Sequence, residues 1–313
     1  VKWEQSIGIA PDIAHMRGDL MTFPTTYNLL QKMKNKIPRG ELWISAETLE
    51  VLGFGQSQYA LIDFSINIGA DICFFSYTSP IQPLPVDSEK MGLLVSKAHA
   101  SNLACGVTID GPFERAVRKH GFMEVIKWFN KVDLLKEHLE KESRLAAREM
   151  EEADKAGADL LLLCDDIAYS KGLYFSPVQF LNNILPFYRE IISTVKHGNV
   201  IGFHSDGDVL PIITPLVEDG FSVFSLEPEA VDLRELNLIL PAEVIILSGI
   251  KSGWLMAPGP VDSDLSEVMQ YVENIKRNCK LILASSCGIT GHQSVERLKK
   301  IYGAADSIVK DHL

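Results

Sequence analysis

A single α/β domain, a (β/α)8 TIM barrel, is the fold the sequence predicts. Three observations carry it. Eight short apolar runs alternate with stretches of helical period. Most of those runs are apolar throughout, the pattern of parallel strands covered on both faces. No linker and no shift in composition divides the 313 residues, so one domain is expected. Eight repeats favour a closed barrel over an open doubly wound sheet.

Taken in order, residues 1–40 read as an N-terminal helical or irregular cap and 41–313 as the barrel. The first strand is placed at Glu41–Ala46 and the second at Asp71–Ser76. The proline-rich Ser79–Asp87 that follows is long enough to serve as a lid or entrance wall. The third strand is Ala104–Ile109. The longest helix is Leu134–Ala156, with Leu135, Leu139, Ala146 and Met150 on one face and the charges of Lys136–Glu152 in solvent. Gly157 stops it before the fourth strand, Asp159–Cys164. Ser176-Pro177, a cap followed by proline at the first helical position, opens a helix running to Lys196. Gly198 and Gly220 precede the fifth and sixth strands, Val200–His204 and Phe221–Ser225. The seventh and eighth are Val244–Ser248 and Leu281–Ser285.

Composition narrows the function classes. The chain is 46% hydrophobic and 23% charged, which excludes a disordered or low-complexity protein. Its net charge of −11, without a dense basic patch, argues against a nucleic-acid partner. No apolar stretch approaches the roughly 18 residues of a membrane span, so no membrane role is expected. The opening VKWEQSIGIAPDIAH has no signal-peptide core. Five cysteines, an odd number without a CxxC, read as reduced thiols. A cytoplasmic protein is expected.

In such a barrel the chemistry lies at the C-terminal ends of the strands. His204, Asp206, Glu227 and Cys287 fall at the ends of the fifth, sixth and eighth strands. All are zinc-ligand types, and His204 and Asp206 are close enough in sequence to converge on one point. The competing reading makes His204 a hydrogen-bonded strand-end residue facing Asp206 or Asp208, and Cys287 a small buried one. Asp165-Asp166 ends the leucine-rich fourth strand. One of the pair is expected to point into the mouth and the other to cap the following turn. A mouth carboxylate there could exchange a proton or position a substrate, so Asp165, Asp166 and His204 are the candidate catalytic residues. Glu47, Tyr77, Asp110 and Tyr169 are candidate substrate contacts by their place near the rim. Cys73, Cys105 and Cys164 read as core fillers. No P-loop, GxGxxG, HExxH or GxSxG motif is present.

Four segments resemble the uroporphyrinogen decarboxylase superfamily: GVTIDGPFERAVRKHGF (106–122), GADLLLLCDDIAYSKGLYFSPVQFLNNILPFYREI (157–191), VIGFHSDGDVLPIITPLVEDGFSVFSLEP (200–228) and LILASSCGITGHQSVERLKKI (281–301). The resemblance implies a TIM barrel and one of two chemistries. The first is decarboxylation of uroporphyrinogen without metal or cofactor. Those enzymes carry an arginine-bearing segment after the first strand and an aspartate after the second. This chain has ISAETL (44–49) and SYTSP (76–80) there. An octacarboxylate needs a basic cavity, which these loops do not supply.

The second chemistry is zinc-assisted methyl transfer to or from a corrinoid (cobalamin) protein, within one-carbon metabolism. The resemblance matches His204 to the histidine of a His-x-Cys pair in these methyltransferases and Cys287 to their later cysteine, while Asp206 stands in place of the first cysteine. Glu227 falls where the related cobalamin-independent methionine synthases have a glutamate ligand. Exchanging a thiolate for a carboxylate keeps the charge and hardens the site, which suits an oxygen-bound methyl group better than a thiol. The resemblance therefore implies zinc on His204, Asp206, Glu227 and Cys287, a partner corrinoid protein and a small methyl donor or acceptor. A metal-free decarboxylase and a non-catalytic corrinoid- or tetrapyrrole-binding barrel are the alternatives.

Overall fold

Seven parallel strands form one curled sheet in the computed structural model, which describes residues 36–77, 85–257, 265–286 and 288–310. They are β1 (Ile72–Ser76), β2 (Ala104–Asp110), β3 (Leu160–Cys164), β6 (Val200–His204), β7 (Val223–Ser225), β8 (Ile245–Ile250) and β9 (Lys280–Ser285). Each pairs with the next in that order. A two-stranded antiparallel hairpin, β4 (Ala168–Tyr169) and β5 (Gly172–Leu173), interrupts the series after β3. Helices pack outside, the longest being Val132–Lys155. The architecture is the TIM barrel that the apolar runs predict.

Its closure departs from expectation. Glu41–Ala46 is not a regular strand. The segment makes only one isolated bridge, Ile44 to Ile289, with a second just before it from Arg39 to Leu283. Ala46 already opens the helix Ala46–Val51, capped by Ser45 Oγ accepting from the Thr48 N–H at 3.1 Å. The segment still joins the two edges of the sheet. The Arg39 carbonyl accepts from the N–H groups of Asp71 and Ile72, at 2.8 and 3.1 Å, beside β1. On the other side the Leu283 N–H of β9 donates to the Pro38 carbonyl at 2.8 Å. Barrel closure thus begins before residue 41, and residues 1–35 of the expected cap lie outside the described residues.

The reason the ladder breaks is Glu41. Its buried carboxylate accepts from the Ser285 N–H at 3.1 and 3.2 Å, taking the bond that a strand backbone would have accepted. Tyr302 Oη donates to it at 2.5 Å. Burial outweighs these bonds and pushes the Glu41 pKa from 4.5 up to about 7. The unfolded chain therefore loses this proton before the folded one does. The stability tied to it is complete below pH 4.5 and lost as pH rises to about 7. The amount is about 3 kcal/mol. Glu41→Gln is expected to flatten the fall in melting temperature across that window, and an unchanged slope would assign the titration elsewhere.

A second difference lies after the Ser176 cap. The capping box forms as expected, but the helix breaks into Pro177–Asn183 and Leu185–Ile192. Pro186 has no N–H to continue the first helix, and its ring disfavours helical geometry just before it.

The alternation of side chains along each strand separates two apolar layers. Ile72, Phe74, Leu160, Leu162, Val223 and Ile282 fill the barrel interior. Cys73, Phe75, Leu161, Leu163, Phe224 and Leu283 belong to the layer beneath the helices. Among the described residues no helix is long and apolar enough to cross a membrane.

Candidate active site

The same period of two decides what reaches the barrel mouth. Inward positions near the strand ends are Ser76, Thr108, Asp110, Cys164 and His204, and all line one cavity of about 460 Å3. Past the end of β3 the alternation continues. Asp166 turns inward and lines the cavity, whereas Asp165 turns outward and is fully buried.

Asp165 is therefore an anchor. The helix Pro112–His120 starts at Gly111, which has no side chain to cap it. Asp165 supplies that cap from the neighbouring strand, accepting from the Phe113 N–H at 3.2 Å and the Glu114 N–H at 2.5 Å. Tyr188 Oη donates a third bond at 2.7 Å. A Cβ at position 111 would lie 2.2 Å from Asp165 Cγ, so only glycine permits this approach. Burial pushes the Asp165 pKa up to about 8, against the pull of those donors. The expected cap of a following turn is thus a cap on another unit's helix, and Asp165 does not reach the cavity as a catalytic group would.

Asp166, His204 and Asp206 come together. One ligand atom from each lies within 4.8 Å of the others. His204 Nδ1 is hydrogen-bonded to Ser225 Oγ at 2.9 Å, and its Nε2 lies 3.6 Å from Asp206 Oδ1. The Asp206 N–H donates to Asp166 Oδ1 at 2.9 Å, tying the ends of β3 and β6. Burial pushes the Asp206 carboxyl up to about 6; the Asp166 and Glu227 carboxylates add to this and His204 opposes it. Glu227 lines the same cavity, and its Oε2 accepts from the Gly207 N–H at 2.9 Å. Gly207 has φ +87°, and a Cβ there would lie 2.5 Å from the Tyr169 backbone.

This donor set fits a divalent metal. One imidazole nitrogen and two carboxylates match the three protein ligands of a catalytic zinc site. The Ser225 bond holds one ring nitrogen, leaving the other for a metal. Three carboxylates crowded at one mouth are relieved by a cation. Relative to the sequence-derived set of His204, Asp206, Glu227 and Cys287, the geometry adds Asp166 and leaves Glu227 adjacent. Cys287 lies outside the described residues; its neighbours Ser286 and Gly288 line the cavity.

Of the candidate substrate contacts, only Asp110 lines the cavity, and it is held by Arg118, whose Nη2 donates to Oδ1 at 3.1 Å with a second bond from Nη1 to Oδ2. Tyr77 is displaced by the same alternation that moves Asp165. It faces outward and is buried in the helix layer, where burial and then Glu152 and Glu149 push its hydroxyl pKa upward. Tyr169 is half exposed on the β4–β5 hairpin, stacked on Tyr174 at 5.8 Å, and does not line the cavity. Glu47 is exposed in the first turn of its helix and does not line the cavity.

Sequence reasoning missed Trp43, Glu114 and Arg118, which line the cavity from the closing segment and from the helix after β2. Arg118 carried a usable signal, since it sits two turns into a helix that starts at the β2 end. Cys164, read as core, is the last inward residue of β3 and stands on the cavity wall. Burial, then Asp110, Asp166 and Asp165, push its thiol well above the usual range, so it stays protonated.

The family described as uroporphyrinogen decarboxylase (URO-D) matches residues 89–308, more than two thirds of the chain. The chain belongs to that family. A methylcobamide:CoM methyltransferase of Methanosarcina barkeri is 25% identical over 199 residues, 63% of this chain. The match spans only 56% of that relative's length. Among solved structures, a methyltransferase from Methanosarcina mazei superposes with a TM-score of 0.72 at 18% identity, covering 93% of this chain and 100% of the other. A B12-independent methionine synthase from Shewanella sp. W3-18-1 gives 0.63 at 13% identity, covering 88% and 98%. At these identities the structural likeness is one of fold.

Proposed function

We propose that the chain is a methyltransferase that moves a methyl group between a small molecule and a corrinoid carried by a partner protein, with zinc at the barrel mouth. The observation that carries this reading is the convergence of Asp166, His204 and Asp206 at the C-terminal strand ends, in a family member whose curated relative is a methylcobamide methyltransferase. His204 and Asp206 would hold the metal with Asp166, Glu227 or Cys287. Zinc bound there would supply a Lewis acid to the heteroatom that carries the methyl group. A nitrogen- and oxygen-rich set favours an oxygen-bound methyl group over a thiol.

The chain's own groups have separable tasks. Ser225 fixes the His204 ring through Nδ1. Gly207 holds Glu227 at the rim. Asp166 both accepts from the Asp206 backbone and faces the cavity, which places it to orient a substrate or to hand a proton to the departing group. Against the metal-free decarboxylase stands the wall itself: the one guanidinium among its described residues, Arg118, is already paired with Asp110 and Glu114.

The test is metal content followed by turnover. Zinc-loaded protein is expected to hold one ion per chain and to demethylate methylcobalamin or methylate cob(I)alamin when given a suitable small acceptor or donor. Cys287→Ala is expected to lower zinc content and abolish transfer while leaving the melting temperature of the metal-free protein nearly unchanged. Protein that takes up no zinc, together with a Cys287→Ala variant that still transfers methyl groups, would overturn the metal reading. Carbon dioxide release from uroporphyrinogen would establish the decarboxylase instead.

A further inference from the structure

Among the described residues, the wall of the cavity carries five acidic side chains, Asp110, Glu114, Asp166, Asp206 and Glu227, and one guanidinium, that of Arg118. Arg118 is not free to meet a ligand's acid group. Both its Nη atoms donate to Asp110, and its Nε donates to Glu114 Oε1 at 3.1 Å. Asp110 is buried at the end of β2, so the pair is fixed on the barrel wall and not on a loose surface side chain. A divalent ion on the Asp166–His204–Asp206 group would still leave an excess of carboxylates around it. Trp43 also lines the cavity, and its buried indole N–H has no acceptor among the described residues. An indole offers a donor to a neutral oxygen and a ring face to a cation.

We propose that the small molecule taken by this cavity carries no acidic group, being uncharged or cationic, and that Asp110 enforces the choice by occupying the one guanidinium among the described wall residues. The proposal rests on the cavity being the small-molecule site of the proposed methyltransferase. An anion entering it would meet this excess of like charges at short range in a partly desolvated space, with no unpaired guanidinium among the described wall residues to receive it. Asp110 is then a specificity residue acting through Arg118.

Three probes of one shape test this: 3-methoxybenzoate, 3-methoxybenzyl alcohol and 3-methoxybenzylamine, titrated into the purified protein by calorimetry. The alcohol or the amine is expected to bind at least about tenfold more tightly than the benzoate. Asp110→Asn releases both Nη atoms of Arg118 from a carboxylate, leaving only the Glu114 bond, and is expected to narrow or invert that ratio, and Glu114→Gln to narrow it less. Benzoate binding as well as the others, or a ratio that both variants leave unmoved, overturns the proposal. Where the methoxybenzene shape is refused altogether, modification of Cys164 reads the same field without a shape requirement. Cationic and anionic methanethiosulfonates are compared, with the labelled peptide identified by mass and rates divided by those with a free thiol. The cationic reagent is expected to react at least about tenfold faster. Equal rates overturn the proposal. Methyl transfer is scored separately: a protein that transfers methyl groups to or from an acid sinks this inference and leaves the methyltransferase intact, whereas charge selectivity without any methyl transfer does the reverse.

Discussion

His204→Ala is expected to remove the bound zinc and to lower methyl transfer by at least about a thousandfold. Lewis-acid polarisation contributes several kcal/mol to a transition state, and about 4 kcal/mol corresponds to three powers of ten. His204 is the one nitrogen ligand in the Asp166–His204–Asp206 group, and its ring is already oriented by Ser225. The fold does not depend on it, because the barrel interior is filled below by residues such as Phe74, Leu162 and Val223. Metal-free wild type and variant are therefore expected to melt within about 1 kcal/mol of each other. Ser225→Ala provides the graded control. It leaves every candidate ligand in place and loosens the ring, so zinc affinity is expected to fall by about 10- to 100-fold, with activity recovered at high zinc. Undiminished zinc content and turnover in His204→Ala would remove His204 from the metal site, whereas zinc lost with turnover undiminished would remove the metal from the mechanism and leave the chemistry to Asp166 and Asp206.

Asp165→Ala is expected to produce the largest loss of stability of any single change at the barrel mouth, at least about 3 kcal/mol. The substitution strands two backbone N–H groups and the Tyr188 hydroxyl in a site closed to water, and each buried unsatisfied donor costs about 1–3 kcal/mol. It also uncaps the helix that carries Glu114 and Arg118 to the cavity wall. Asp165→Asn keeps an acceptor and resembles the protonated acid, so it is expected to be much milder. The pH dependence has a definite sign. Folding holds the Asp165 proton from the ordinary 3.8 up to about 8. The associated stability is complete at the acid end and lost as pH rises through that window. Asn does not titrate, so the gap between wild type and Asp165→Asn should narrow as pH rises across that window. Denaturant titration at several pH values measures it, and a wild type that instead gains stability relative to Asp165→Asn as pH rises would mean that Asp165 is buried as a carboxylate.

The apolar runs predicted seven strands to within two residues at each end, because strands buried on both faces are written as continuous apolar sequence. They misplaced the eighth. ELWISA has the apolar content of a strand, but Glu41 turns its carboxylate onto the Ser285 N–H and replaces a rung of the ladder. Composition does not reveal that exchange. At the mouth, the run of leucines before Asp165-Asp166 does not show in sequence which face is inward; only the structure, with Leu161 and Leu163 facing the helices as Asp165 does, sorts Asp165 from Asp166 and sets Tyr77 aside. The ligand-type residues His204, Asp206 and Glu227 were legible because short strand-end motifs keep their members together, and all three do line the cavity.

The sequence by itself determined the barrel, the strand ends that form its mouth, and His204 and Asp206 as partners at one of them. These are local properties: period, length, and residues two apart at the end of one strand. The tertiary structure alone decided that Asp166 joins them, that Asp165 caps a helix begun from another strand, and that Arg118 spends its charge on Asp110. Each of those depends on the register between parallel strands and on the return of a helix over the strand it follows. In a parallel barrel, neighbours in space are separated by a whole helix in sequence, so no spacing along the chain records which carboxylate meets which donor.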